Sequence, residues 1–584
     1  MTDQPQPFAG AGKPGFSRAL AAVLIVLAGL MAYANTFSAP FVFDDKVNVL
    51  DNPSIRSLTP VSAALSAPPG KGTAGRPILN LSYAVNYAVS GLSPWSYHVV
   101  DLAIHLLAGL LLFGIVRLTL ETPRLAGRYG GRAPFLAFSA ALLWTVHPLA
   151  TEAVTYVTQR AESGMGLFFL ASLYAAIRGF GKRPVNIWHA AAAASLALGA
   201  GFKEVIAAAP LVILAWDAVF NERPPLKALR RSWFLYAGLF LGLMFLAALV
   251  AGGGTAGADP IDRSVSRLAY LVTEGGVILH YLRESLVPVG LAFDAQDWDT
   301  SLTAGKFLAA GLTGALVILT AWGLFRRRPE AFLGAWFFLI LAPTSSFMPL
   351  KCPAYDHRMY LPLAAAVTAV VLFADRLLSG RFARGGAKAA PAAVLLVAAA
   401  LLIGLTLARN HEYRSDIAIW TDTLQKRPKN ARAELNLAQA LENAGDPAKA
   451  LVHYARGLAM TPDPREAARA HFNMANILSA QGRSQDAENH YRAAIEILPA
   501  FPEALTNLAV LFSNSGRYDE AEHLYDRALF YNPSLAAARF NYAGLLARRG
   551  QWAAAAGHYE GVLALLPDYA PARANLAVCR EKMR

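Results

Sequence analysis

The chain has 584 residues, of which 55% are hydrophobic and only 16% charged, and its formal net charge is +13. Soluble domains carry about 25% charged residues, so the composition excludes a disordered chain, a coiled coil and an ordinary soluble enzyme, and the length implies more than one domain. With two cysteines, Cys352 and Cys579, disulfide scaffolds and multi-cysteine metal centres are excluded as well.

Apolar stretches long enough to cross about 30 Å of hydrocarbon recur from Arg18 to Ala408. Spans are expected near 18–37, 97–119, 134–150, 163–178, 186–202, 205–220, 232–251, 305–325, 331–348, 360–378 and 389–408. Basic clusters at Lys13/Arg18, Arg117–Arg132, Arg178–Arg183, Arg223–Arg231, Arg326–Arg328 and Arg376–Lys388 then share one side, which the positive-inside rule makes the cytoplasm. From His411 onward, 20 Lys and Arg face 19 Asp and Glu. The excess cations therefore lie in the apolar part, the bias of a membrane protein and not of a nucleic-acid binder. Leu268–Leu291 is apolar but carries Glu274, His280, Arg283 and Glu284, and reads as an interfacial or re-entrant helix on the outer face. That leaves eleven spans over 18–408, residues 1–17 in the cytoplasm and the C-terminal domain outside. Ala32-Tyr33-Ala34 also fits a small-x-small cleavage site, so a cleaved signal peptide is the alternative for the first span. Both versions place the next loop outside.

That loop reads FVFDDKVNVLDNP and sets Asp44 and Asp45 just beyond the first span. Paired acids at a membrane surface can divide into a general base or metal ligand and its orienting partner, or serve only as a cap or solvated turn. Further polar residues sit at the same level. His98, Asp101 and His105 share one helix face, read as a helix–helix polar contact in preference to a metal site. His147, Glu152, Arg160 and Glu162 follow in TVHPLATEAVTYVTQRAES, Lys203-Glu204 at an outer turn, and Asp356, His357, Arg358 and Tyr360 in YDHRMYLP. Ionisable groups near spans are costly and face a cavity or a partner. No G-x-x-x-x-G-K-[ST] or H-E-x-x-H occurs, against ATP-driven transport and that class of zinc protease.

Residues 409–430 form a connector with a half repeat. Beyond them Asn436, Asn473, Asn507, Asn541 and Asn575 are spaced by 37, 34, 34 and 34 residues, and Gly445, Gly482, Gly516 and Gly550 keep the same intervals. A 34-residue period with a mid-repeat Gly and a terminal Pro resembles the tetratricopeptide repeat, giving four repeats over 431–569 and a capping helix at 570–584. Stacked repeats would present the asparagines as a ladder. Asn436, Asn473, Asn507 and Asn541 are candidates to bind the backbone of an acceptor peptide; the alternative is hydrogen bonding between helices.

FVFDD…NP, RPILNLSYAVNYAVSGLSPWSYHVVDLAIHLL, TVHPLATEAVTYVTQRAE, KEVIAAAPLVILAWD and DHRMYLP occur in that order ahead of the repeats. The ordered set is similar to the transmembrane and tetratricopeptide-repeat-containing O-mannosyltransferases of the GT-C glycosyltransferase superfamily. The resemblance implies an all-α architecture, a polytopic GT-C-type membrane domain followed by an α-solenoid. It implies a polyprenyl-phosphate sugar donor and transfer of mannose or a similar hexose to Ser/Thr hydroxyls of extracytoplasmic proteins. Asp44 or Asp45 maps onto the catalytic acid, with Arg160, Lys203 and Arg358 as partners of the donor phosphate. His98, His105, His147, Glu152, Glu162, Glu204 and Tyr360 would support them. DHRMYLP departs from the pattern, since His357 stands where an acid would precede Arg358. The Ala-rich composition and short loops suggest a bacterial member in the inner membrane, with its repeats in the periplasm and undecaprenyl phosphate in place of dolichyl phosphate. A divalent metal, Mg or Mn, is a possible cofactor. The alternatives are a membrane-anchored repeat scaffold for envelope assembly and a lipid-linked oligosaccharide ligase or polymerase.

Overall fold

The computed structural model describes residues 17–68, 70–253, 265–382, 390–460 and 462–584. The N-terminal stretch 1–16 and the basic residues from 383 to 389, both used above to orient the chain, lie outside them. The chain divides into two units, Met1–Asp422 and Thr423–Arg584.

Helices build the first unit, and among its described residues no strand forms. In lipid this is what the backbone requires, because a helix satisfies its own N–H and C=O groups. Trp95–Leu120, Trp233–Gly252, Ala304–Phe325 and Ala390–Glu412 are long and apolar enough to cross a membrane. Pro123–Thr145 and Pro148–Thr155, bent by 53°, make a fifth if taken as one broken span. The other expected spans fall on Arg18–Ala32, Arg160–Gly179, Ile187–Ala200, Ala209–Phe220, Ala331–Leu341 and Pro362–Phe382, while Leu268–Leu291 folds as the helix Arg267–Leu286. Outward faces are greasy: Leu241, Ile318, Phe373 and Leu396 are all exposed. Such exposure suits lipid. Inside, small residues let helices approach. Gly166 is one; a Cβ there would lie 2.6 Å from the Tyr360 ring.

The second unit is a run of helix pairs, Ala431–Asn443/Pro447–Ala459, Pro464–Ala480/Ser484–Ile497, Pro502–Asn514/Tyr518–Tyr531 and Ala536–Arg548/Trp552–Leu565, closed by Ala570–Lys582. Each pair turns at Gly445, Gly482, Gly516 or Gly550, whose φ values are +83°, +75°, +79° and +75°. Only a residue without Cβ takes this conformation at low cost, which explains the glycine period. Ala475, Ala509 and Ala543 are wholly buried, and Tyr454, Tyr491, Tyr525 and Tyr559 fill the space beside them.

Candidate active site

The FVFDD loop splits its two carboxylates. Phe43 has φ +44°, a left-handed conformation uncommon for a bulky residue. Its ring is held edge-on by Trp420 at 5.2 Å and Phe293 at 6.0 Å, and its N–H donates to Asp416 Oδ1 at 3.3 Å. The turn sends Asp44 to the surface and Asp45 inward. Asp45 Oδ1 accepts from Thr158 N–H at 2.7 Å and Thr158 Oγ1 at 2.6 Å, and Oδ2 from Val42 N–H at 3.2 Å. Burial pushes the Asp45 pKa up from 3.8 to about 7, against the lowering effect of these hydrogen bonds. Asp44 N–H donates to Tyr156 Oη at 3.1 Å. The following Lys46 is ion-paired with Asp416. Further along, Asn52 caps Pro53–Ile55 and donates to Asn48 O and Asn80 Oδ1, which ties the NP turn to RPILN.

The remaining expected site residues fall into separate networks. Arg160 is fully buried, pairs with Asp101, and donates to Ser82 Oγ, Asn86 Oδ1 and Tyr97 O, with its guanidinium 4.8 Å from the Tyr83 ring centroid. Four of five guanidinium N–H groups are thereby committed inside the protein. The guanidinium expected to meet a lipid phosphate is thus engaged by two other segments, Pro77–Ser90 through Ser82 and Asn86 and Trp95–Leu120 through Tyr97 and Asp101. Lys203 Nζ pairs with Glu162 at 2.7 Å, and Arg76 with Glu204 at 3.2 Å. Arg358 is buried and donates to the carbonyl oxygens of Pro353 and Cys352, with its guanidinium 5.1 Å from the Tyr355 ring. Both acceptors lie in the turn before YDHRMYLP.

The departure in that motif finds its partner elsewhere in the chain. His357 donates its backbone N–H to Glu152 Oε2 at 2.9 Å and pairs Nδ1 with Oε1 at 2.8 Å. His105 Nε2 donates to Thr145 O at 2.9 Å, which leaves Nδ1 to accept from Tyr360 Oη at 3.0 Å. His98 Nε2 donates to Ala39 O, and His147 Nδ1 accepts from Leu149 N–H to cap Pro148–Ala150. His98, Asp101 and His105 thus share a helix face yet engage different partners. Among the described residues, no three His, Cys, Asp or Glu side chains are disposed to hold one metal ion.

In the repeats, Asn436 Nδ2 donates to Arg432 O, Asn473 Nδ2 to Tyr454 Oη, Asn507 Nδ2 to Asn476 Oδ1, and Asn575 Nδ2 to Tyr559 Oη. Asn541 is half-buried at the equivalent place. The ladder therefore spends donors within the array.

Sequence reasoning missed Tyr156, Thr158, Asp416 and Arg76. Nothing in spacing connects Asp45 with Thr158, 113 residues away, or Lys46 with Asp416, 370 away.

A family model described as tetratricopeptide repeat matches residues 429–500, and a second matches 478–548. Protein O-mannosyl-transferase F38B6.6 of Caenorhabditis elegans is 24% identical over 469 residues, covering 77% of this chain and 64% of that protein. Protein O-mannosyl-transferase Tmtc3 of Drosophila melanogaster is 26% identical over 554 residues, 81% of this chain and 58% of its own. Human protein O-mannosyl-transferase TMTC2 is 32% identical over 158 residues, 26% of this chain and 18% of that protein. The chain spans less than two thirds of the length of each of these relatives. Among solved structures, a crystal structure of MamA is 18% identical, covering 26% of this chain and 89% of that one at a TM-score of 0.24. Over about four fifths of its length, the chain is a homologue of proteins named protein O-mannosyl-transferases, and it carries tetratricopeptide repeats within 429–548.

Proposed function

We propose that the membrane unit transfers mannose or a similar hexose from a polyprenyl-phosphate carrier, undecaprenyl or dolichyl, to Ser/Thr hydroxyls of extracytoplasmic proteins recruited by the repeats. The observation that carries this reading is the split pair: Asp44 stands at solvent on a loop that Asp45 pins from within. Asp44 accepts the proton of the acceptor hydroxyl as its oxygen attacks the anomeric carbon, and the bond from that carbon to the phosphate oxygen breaks with inversion. Negative charge grows on the departing lipid phosphate and needs a cation. Lys203, with Arg76 beside it, fits that need better than Arg160, because each keeps its side chain 12% exposed and has a carboxylate partner that can be shared. The repeats hold the acceptor, using the carbonyl oxygens and second N–H groups of Asn473, Asn507 and Asn541.

The test is transfer by the full chain in lipid vesicles, supplied with labelled mannosyl-phosphoryl-polyprenol and an unfolded Ser/Thr-rich protein. Label appearing on protein, and lost in Asp44→Asn, supports the reading. Label passing only to a lipid-linked glycan identifies a ligase instead. No transfer from any polyprenyl-phosphate sugar leaves the scaffold.

A further inference from the structure

We propose that the membrane unit holds an anionic glycerophospholipid, with one acyl chain in a half-open apolar cavity at the end of the bundle opposite the candidate active site. The cavity measures about 410 Å³, and Ile115, Phe220, Phe332 and Trp336 are among its walls. Along Trp95–Leu120, Asp101 belongs to the active-site end, and Ile115 follows fourteen residues later, about 21 Å down the axis. The two sites are therefore separate.

Shape selects a chain. Pro362–Phe382 lines the cavity with Ala364, Ala365, Thr368, Ala369, Leu372, Phe373 and Arg376, a single stripe about 18 Å long on one helix face. Small side chains through its middle leave an apolar channel that is open to the outside of the bundle along Ala369 and Phe373. Water gains little in such a space, because it finds few polar partners there.

Charge selects the head group. Arg128 and Arg376 close the same cavity and are exposed, and neither is ion-paired among the described residues. Arg128 rests against the Tyr129 ring at 4.9 Å, which holds the guanidinium at the rim. Glu330 also lines the cavity, so two cations face one carboxylate and the rim keeps a net positive charge. Neighbouring Arg124 and Arg132 are already neutralised by Glu222 and Asp375. A phosphodiester with an apolar tail satisfies rim and channel together; a soluble anion satisfies only the rim. Arginine suits it through its planar fork of donors.

The experiment is native mass spectrometry of the full chain in mild detergent, with phosphatidylglycerol or phosphatidylcholine added. The wild type should retain one phosphatidylglycerol and prefer it over phosphatidylcholine by about tenfold or more, because the choline cation offsets the phosphodiester charge that the rim arginines meet, an effect on the scale of one charge-assisted hydrogen bond. Ala369→Trp fills the channel from an exposed position and should remove that retention. Arg128→Gln with Arg376→Gln alters only exposed side chains and should erase the head-group preference without requiring any change in the channel. Equal retention of the two lipids by the wild type overturns the proposal, as does unchanged retention in Ala369→Trp or an unchanged head-group preference in the double arginine variant. Co-purification of a polyprenyl phosphate that Ala369→Trp displaces overturns the glycerophospholipid assignment.

Discussion

Asp44 and Asp45 are adjacent in sequence and opposite in circumstance, so substituting each tests the proposed division of labour. Asp44→Asn removes the base from an exposed position. Losing a general base costs about 10²–10⁴-fold in rate, or about 3–5 kcal/mol of barrier, while melting temperature should stay at the wild-type value. Asp45→Asn acts on the fold. Its Oδ1 would keep both Thr158 contacts, but the amide N–H₂ would face Val42 N–H, where Oδ2 now accepts. One buried donor left unpaired costs about 1–3 kcal/mol.

The pH dependence sharpens the test. Asp45 has a folded-state pKa of about 7, raised from 3.8 chiefly by burial. The folded state thus binds the proton more tightly than the unfolded state, and wild-type stability falls as pH rises from about 4 to about 7. Three pH units at 1.36 kcal/mol each set the loss from this group at about 4 kcal/mol. Asp45→Asn cannot titrate there, so its deficit relative to wild type should shrink across that window. Thermal unfolding of both proteins in the same vesicles from pH 4.5 to 8, with label transfer measured in parallel, supplies the data. A deficit that grows with pH would mean the three donors need an ionised carboxylate, and would refute the burial argument. Normal turnover in Asp44→Asn beside a dead but fully stable Asp45→Asn would reverse the two roles.

Arg160→Met should destabilise the membrane unit by about 3–5 kcal/mol by stranding Asp101, seen as a lowered melting temperature; an unchanged melting temperature would free Arg160 for another role. Lys203→Met should weaken binding of the polyprenyl-phosphate donor more than binding of acceptor, measured as separate dissociation constants, and the reverse pattern counts against it. Asn473, Asn507 and Asn541 together replaced by Ala should lower acceptor affinity while transfer to a short soluble acceptor persists; unchanged affinity in the folded variant returns them to interhelical bonding. A reporter fused after Arg584 should be active only outside the cytoplasm, and cytoplasmic activity would invert the topology.

The repeats were legible because a solenoid is local. Each turn glycine and each buried alanine answers to neighbours within one period, so a 34-residue interval carries nearly all the information. Apolar runs likewise exposed the helices of the membrane unit. The chemistry was less legible, since its geometry depends on pairs formed across long separations. The DD dipeptide suggested a division of roles without saying which acid takes which; the left-handed turn at Phe43, held by Phe293 and Trp420, exposes one and buries the other. Arg160 looked like a phosphate ligand by position and residue type. The acid that neutralises it, Asp101, lies 59 residues earlier. His357 looked like a lost acid, yet it joins Glu152 205 residues away.

These pairs share a physical reason. Lipid tails are as apolar as leucine, so hydrophobic burial does little to set the register of one membrane helix against another. A buried ion pair gains little net stability, but breaking it leaves an uncompensated charge, and only one helix register keeps both partners matched. Asp101 with Arg160, Glu152 with His357, and Glu162 with Lys203 connect the Trp95–Leu120 and Arg160–Gly179 helices to the turns around them. Thr158, two residues before Arg160, is the residue that receives Asp45. The strained Phe43 turn needs surroundings that over-determine it, and this lattice of pairs supplies them on the Thr158 side. The proposed catalysis at Asp44 should therefore depend on residues that never touch substrate. A lesion at Arg160 or Asp101 would act by moving Thr158, which releases Asp45 and lets the Phe43 turn relax toward ordinary backbone angles.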